Sequence, residues 1–399
     1  MGKPVILSRM TAIDRLTATS GLPSGPEALT PEWLTAALVE GAGVSARVVD
    51  LDWEQVSNGL GFAGQVVRVK PSYEPHGAGA PTSVIAKFAA PLDSARKLLN
   101  DLGGYEREVQ FYGALAHDAG LPTPRCYFAG YDREGGHFVL LLEDLGEARC
   151  GDQVAGATLS EAEFVVTELA RFHARNWNDG ALLEQKWLWP SEALVNRLPE
   201  LYEQGVEPLR QNIREGYGDV LKLVERVRPL APALAESFGS RFPPKPFTIV
   251  HGDMRLDNIF FPSEGKGRFA VVDWQGAAIG SPGNELAYWL VLSLPVEVRR
   301  ANEAALLRRY WSELAAGGVK GYAFSALKRD YQQGILTQLV GLPIVVANLD
   351  FSSDRGQALA DAALGRISAA AADFRVSRMV TVLTWYVRLD GLRRKILRR

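Results

Sequence analysis

A chain of 399 residues has room for a sizeable core and for two or three units of ordinary domain size. With 47% hydrophobic and 23% charged residues it is no disordered or fibrous protein, and a net charge of −2 excludes a global pull towards nucleic acid or anionic membrane, leaving small-molecule work as the simpler expectation. Two isolated cysteines, Cys126 and Cys150, are too few for a disulfide framework or a zinc site, and no apolar run approaches about 20 residues, so a cytoplasmic chain without a transmembrane helix is expected.

Residues 1–25 lack periodicity and read as a loosely packed arm. TPEWLTAALVEGAG predicts a helix with Thr30 as N-cap, Pro31 in its first position and Gly41 or Gly43 at its end. Val44 to Val56 is strand-like, QVVRVKP predicts a second strand ended by Pro71, and SVIAKFAA a third. DSARKLLNDLGGYEREVQFYGALAHDAG is helical with a break or bend at Gly103-Gly104, and PRCYFAGYD and HFVLLLEDL are two further strands. Beyond them SEAEFVVTELARFHARNW opens with a capping box, Ser160 and Glu163, and helical patterns continue through 191–240. PPKPFTIVHGD returns to strand, and after VVDWQ the chain is almost wholly helical. The expected organisation is an arm (1–25), a sheet-rich unit with one principal helix (26–145) and a helical unit (146–399), an α+β architecture. The basic end, RLDGLRRKILRR, reads as a solvated helix in preference to one resting on a membrane.

GLGFAGQVV contains G-x-G-x-x-G at Gly59, Gly61 and Gly64. A dinucleotide-binding loop needs a helix after these glycines and an acidic residue about 20 positions on; here a strand follows, then a lysine. A strand, glycine turn and strand form a hairpin whose amides can fold over phosphates, although such hairpins are common without function. Four further parts agree with the phosphate reading. Lys87 ends VIAK on the third strand, and Glu108 on the next helix is the candidate to pair with it; Glu106 is the competitor, but Glu108 precedes Val109 and Tyr112 as an inward position would. In IVHGDMRLDN, Asp253 and Asn258 stand five apart, the spacing of a kinase catalytic loop with its base and a Mg²⁺ ligand. Asp273, after a hairpin signal, supplies a second hard oxygen ligand.

HGDMRLDN with VVDWQ resembles the aminoglycoside phosphotransferase and choline kinase-like group, and LLEDL with ELARFHARNW and VDWQ resembles its ecdysteroid kinase-like branch. The resemblance covers roughly 50–375. It implies a protein-kinase-like bilobal fold, ATP and Mg²⁺ as cofactors, and phosphorylation of a hydroxyl on a small-molecule acceptor. By it Asp253 is the catalytic base, Asn258 and Asp273 bind Mg²⁺, His251 helps hold the loop, and Glu143 to Leu145 receive adenine. Glu285 falls where the family usually has Asp, in a role supporting the loop.

Arg255 divides evenly between stabilising the transferred phosphoryl group and pairing structurally with Asp257 or Glu285. His173 reads first as a hydrogen-bonded packing residue, and Trp177, Trp187 and Trp189 as core. From Trp274 onwards 17 Lys and Arg stand against 10 Asp and Glu, which disfavours an aminoglycoside acceptor and mildly favours a neutral or apolar alcohol. A catalytically silent nucleotide-binding scaffold is the rival reading; it requires a lost part, and none is missing.

Overall fold

In the computed structural model, residues 21–56, 64–74, 79–212, 217–240, 242–347 and 351–397 are described. The chain divides into two compact units. One runs to Arg149 and takes in Ile259–Ala277; the other holds Cys150–Asn258 and the chain from Ala278 onwards.

The first unit is organised by alternation along its strands. β1 (Arg47–Gln55), β2 (Gln65–Glu74), β3 (Val84–Phe88), β4 (Cys126–Asp132) and β5 (His137–Glu143) form one antiparallel sheet in the order β1-β2-β3-β5-β4. Val84, Ala86 and Phe88 share a face with Val67, Val69, Val139 and Leu141, and this face is packed by Trp33, Leu34, Ala37 and Leu38 of helix α1 (Pro31–Ala42). A strand has period two, so Ile85 and Lys87 must point to the opposite face. Helix α1 starts as expected: the Thr30 hydroxyl accepts the Trp33 N–H at 3.2 Å, and Gly43 closes it in the left-handed conformation.

β2 continues through Pro71 to Glu74, beyond the stop expected at the proline. β3 accompanies β2 only from Gln65 to Val69, so beyond that point one edge of β2 has no ladder that a missing N–H could break. On the Lys87 face, helices α2 (Asp93–Asp101) and α3 (Gly104–Gln110) meet at Gly103, whose left-handed φ of 76° supplies the bend.

The second unit is helical. α4 (Leu159–Arg175) begins with a capping box, but it is Thr158 and Glu161 that exchange hydrogen bonds, not Ser160 and Glu163. Both pairs obey S/T-x-x-E, and the upstream pair lets the helix start earlier. α5 (Glu192–Asn212), α6 (Gly218–Val227), α7 (Ala231–Ser240), α8 (Pro282–Ser293), α9 (Val296–Ala316), α10 (Phe324–Ala347), α11 (Asp354–Asp373) and α12 (Val376–Leu397) follow. α10 packs on both α5 and α8, and α9 lies along α4. A short strand, Thr248–Val250, pairs antiparallel with Ala278–Gly280 and delivers the chain to His251.

The tryptophans expected in the core are not there: Trp177, Trp187 and Trp189 are partly exposed, and Leu188 is the buried residue of that turn. The fully buried tryptophans are Trp274 in the first unit and Trp289 in the second. An indole is too large to bury without a matching cavity, so its hydrophobicity alone does not place it.

The α5–α10 crossing depends on one missing side chain. A Cβ at Gly205 would overlap the Pro343 carbonyl oxygen, which is backbone and cannot turn aside. Gly205→Ala is therefore expected to cost about 1–3 kcal/mol, as overpacked core sites do. Urea unfolding followed by circular dichroism measures it, and an unchanged midpoint would contradict this crossing.

Candidate functional site

In the first unit the alternation that turns Lys87 away from the apolar core leaves an ammonium only 8% exposed. Its Nζ donates to Glu108 Oε1 at 2.9 Å and to Asp273 Oδ1 at 2.6 Å. Glu108 is 1% exposed, while Glu106 pairs with Arg133 at the surface, so helical phase separates the two as the spacing predicts. Asp273 holds a left-handed φ of 67° at the start of the turn Trp274–Gly276. That turn is fixed by the Trp274 ring, stacked on Phe111 at 3.7 Å and 8°, and by its Nε1 donating to the Val271 carbonyl at 3.1 Å.

One cation between two carboxylates leaves an excess negative charge inside the unit. Burial pushes the Glu108 carboxyl up to about 7, against the pull of Lys87. Burial also opposes the Lys87 charge, but Asp273 and Glu108 outweigh it and hold the ammonium protonated above its usual range.

Glu143 ends β5 with its N–H donated to the Arg125 carbonyl at 2.8 Å and its carboxylate bound by Arg268. Asp144 is gripped by Arg68 at 2.6 Å and Ser83 at 2.8 Å, and the Leu145 carbonyl accepts from Ala148 at 3.1 Å. The segment expected to meet adenine is thus firmly held, with the Glu143 N–H already committed. Gly64 opens β2 with its Cα against the Phe88 backbone, leaving no room for a side chain; Gly59 and Gly61 lie outside the described residues.

In the second unit the loop after Thr248–Val250 closes on itself. His251 is fully buried and its Nδ1 accepts the Asp253 N–H at 3.2 Å. Asn258 Nδ2 donates to the Asp253 carbonyl at 2.9 Å and to its Oδ2 at 3.1 Å, which directs the amide nitrogen to Asp253 and leaves the Asn258 carbonyl oxygen as a hard donor. Glu285, on α8, accepts the Gly252 N–H at 2.8 Å with Oε1, and its Oε2 meets His173 Nε2 at 2.9 Å. His173 Nδ1 in turn meets the Tyr310 hydroxyl at 2.5 Å. His173 is therefore the packing residue expected, but one that reaches the loop through Glu285.

Arg255 Nε stands 3.5 Å from Asp253 Oδ2. The two carboxylates weighed as its structural partners each have other donors: Asp257 accepts from the Gln153 N–H at 3.0 Å and pairs with Arg355 at 3.1 Å, and Glu285 serves Gly252 and His173.

Three residues at this loop escaped the sequence reading. Tyr288 donates its hydroxyl to Asp253 Oδ1 at 2.5 Å; its signal was present, one helical turn after Glu285. Gln153 accepts the Leu256 N–H at 2.8 Å and Arg355 holds Asp257, from positions far along the chain that no local pattern connects.

Residues 58–318 match the sequence profile of the ecdysteroid kinase-like family. An uncharacterized kinase-like protein of Caenorhabditis elegans is 25% identical over 248 residues, 57% of this chain and 61% of that protein. Mouse acyl-CoA dehydrogenase family member 10 is 43% identical over 54 residues, 12% of this chain and 5% of its own length. The chain thus spans less than two thirds of the curated relatives it matches. Among solved structures, a candidate aminoglycoside phosphotransferase of Ralstonia eutropha superposes with a TM-score of 0.50 at 18% identity, covering 86% of this chain and 97% of that one. Plasmodium vivax ethanolamine kinase does so with a TM-score of 0.50 at 9% identity, covering 92% and 94%. At these identities the likeness is one of fold, and the fold is kinase-like.

Removing the cation of the first cluster leaves two neighbouring carboxylates without the charge that balances them. Lys87→Met is expected to destabilise the protein by ~3–5 kcal/mol, the cost of breaking a buried pair from one side. Adding Glu108→Gln should recover part of that loss in urea unfolding; a single variant as stable as the wild type would show that the triad is not buried as described.

Proposed function

Because the chain belongs to the ecdysteroid kinase-like family, we propose that it transfers the γ-phosphoryl group of ATP to a hydroxyl of a small organic molecule. The observation that carries this reading is the buried Lys87 held between Glu108 and Asp273. Two carboxylates fix the direction of this ammonium, and an oriented lysine of this kind is what positions α- and β-phosphates in a kinase.

In this reading Glu108 orients Lys87, Gly59, Gly61 and Gly64 cover the phosphates, and the backbone of Glu143 to Leu145 meets adenine. Asp253 accepts the proton of the attacking hydroxyl as the new oxygen–phosphorus bond forms and the bond to the β-phosphate oxygen breaks. Arg255 stabilises charge on the transferred group. Asn258 and Asp273 are read as the Mg²⁺ ligands: the Asn258 carbonyl oxygen, left over by the amide's commitment to Asp253, and the Asp273 carboxylate are each hard oxygen donors. When bound, the ion neutralises phosphate charge. His251 and Glu285 hold the loop that carries the base.

The acceptor is read as a neutral or apolar alcohol, with an aminoglycoside as the alternative. A cytoplasmic setting belongs to the same reading; among the described residues no helix is long and apolar enough to cross a membrane.

Asp253→Asn should lower single-turnover phosphoryl transfer by about 10²–10⁴, the usual weight of a general base. Chelation should stop the reaction and added Mg²⁺ restore it. An acceptor is found by screening alcohols for an ATP-dependent mass gain of one HPO₃. Unchanged turnover in Asp253→Asn would leave the silent scaffold as the better account, and modification of aminoglycosides alone would reverse the acceptor preference.

A further inference from the structure

We infer that Tyr288 is a positioning residue for Asp253, fixing the carboxylate in the one orientation that leaves it able to receive a proton. The inference rests on the reading of Asp253 as the base.

Asp253 lies in an irregular loop, after Gly252 with its left-handed φ of 83°. The terminal torsion of an aspartate is broad and roughly two-fold, so nothing in the backbone selects one orientation. Here each carboxylate oxygen has its own donor: Tyr288 on Oδ1 at 2.5 Å, Asn258 on Oδ2 at 3.1 Å. An ionised carboxylate offers about four lone-pair sites, so these two bonds leave it capacity to accept an acceptor hydroxyl.

Tyr288 is well placed for this because its helix is rigid. α8 is seated closely on α10: a Cβ at Gly283 would meet Asp330, and one at Gly334 would meet Ala287 and the Asn284 backbone. On that helix Glu285 and Tyr288 are three residues apart and so share a face. Glu285 holds the loop's backbone at Gly252 and Tyr288 holds its functional side chain, so one helical turn sets both the position and the orientation of the base.

Tyr288 also bears on Arg255. The Arg255 Nε to Asp253 Oδ2 separation of 3.5 Å is longer than a close charge-assisted hydrogen bond. With Oδ1 tied to Tyr288, the carboxylate is not free to turn and meet the guanidinium with both oxygens. Such a bidentate pair would occupy the base and draw Arg255 from the phosphoryl group.

The test is Tyr288→Phe, which removes the hydroxyl and keeps the ring. With Mg·ATP and either the alcohol found by screening or water as acceptor, kcat should fall about tenfold to a hundredfold, the weight of a hydrogen bond to a charged group. The KM for ATP should stay unchanged, and the substitution should add nothing in an Asp253→Asn background. Full activity in Tyr288→Phe while Asp253→Asn is inactive overturns the positioning role but spares the kinase reading. Full activity in Asp253→Asn, or no phosphoryl transfer by the wild type to any acceptor, overturns that reading and the inference with it. A crystal structure of Tyr288→Phe gives a readout that needs no turnover. The Asp253 carboxylate should rotate or split between orientations, and an unaltered single orientation would also overturn the inference.

Discussion

A charge taken out of water has to be met inside the protein, and in the first unit that requirement falls on one ammonium. Lys87 is buried because strand alternation sends it to the helix-covered face of β3, not because its own chemistry favours burial. Two carboxylates then have to reach it, one from α3 and one from the turn after Val271. The bend at Gly103 sets the phase of α3 that turns Glu108 inward, and the Trp274–Phe111 stack fixes the turn that presents Asp273. The geometry of several elements is thus tied to a single nitrogen, and none of them can shift without leaving a buried charge unmet.

The second unit meets the same requirement with neutral donors and long-range ties. Its loop carries backbone N–H groups at Gly252, Asp253 and Leu256 that turn inward, and each finds a side chain: Glu285, His251 and Gln153. Those side chains are held in their turn. His173 and Tyr310 stand behind Glu285, and Gln153 Nε2 donates to the Leu292 carbonyl, which Arg366 also binds. Buried polar networks of this kind are stable only when every member is satisfied, which makes the loop's shape a property of four helices.

What could be read in the sequence was what local periodicity determines. The five strands, the choice of Glu108 over Glu106 and the N-cap at Thr30 follow from period, phase and capping chemistry. Ser160 and Thr158 satisfy the same capping rule in overlapping pairs, and the sequence around Pro71 does not contain the sheet order that decides which edge is free. Gln153 and Arg355 were invisible because their partners are about a hundred residues away. The charge surplus after Trp274 also looks different in three dimensions. Arg299, 1% exposed, is consumed by Glu303 and Asp373, Arg355 by Asp152 and Asp257, and Arg366 by backbone carbonyls. Those cations brace the fold, and Arg355 is matched by Asp152 and Asp257 from outside the counted stretch, so a regional count is a poor measure of the charge an acceptor would meet.

Glu285 shows how the same logic makes sense of a departure from the family's usual Asp. The side chain has two distant tasks, the Gly252 N–H and His173 Nε2, and it performs them with different oxygens, at 2.8 and 2.9 Å. The extra methylene gives the carboxylate the reach to stand between loop and helix α4 while α8 itself is pinned to α10 by its glycine contacts. Glu285, His173 and Tyr310 stand in one chain of hydrogen bonds that runs through both ring nitrogens of His173. The longer residue thus links the loop to α4 and α9 as well as to α8. A shorter carboxylate on the same backbone would have to give up one of those ties or shift α8 from its seat on α10.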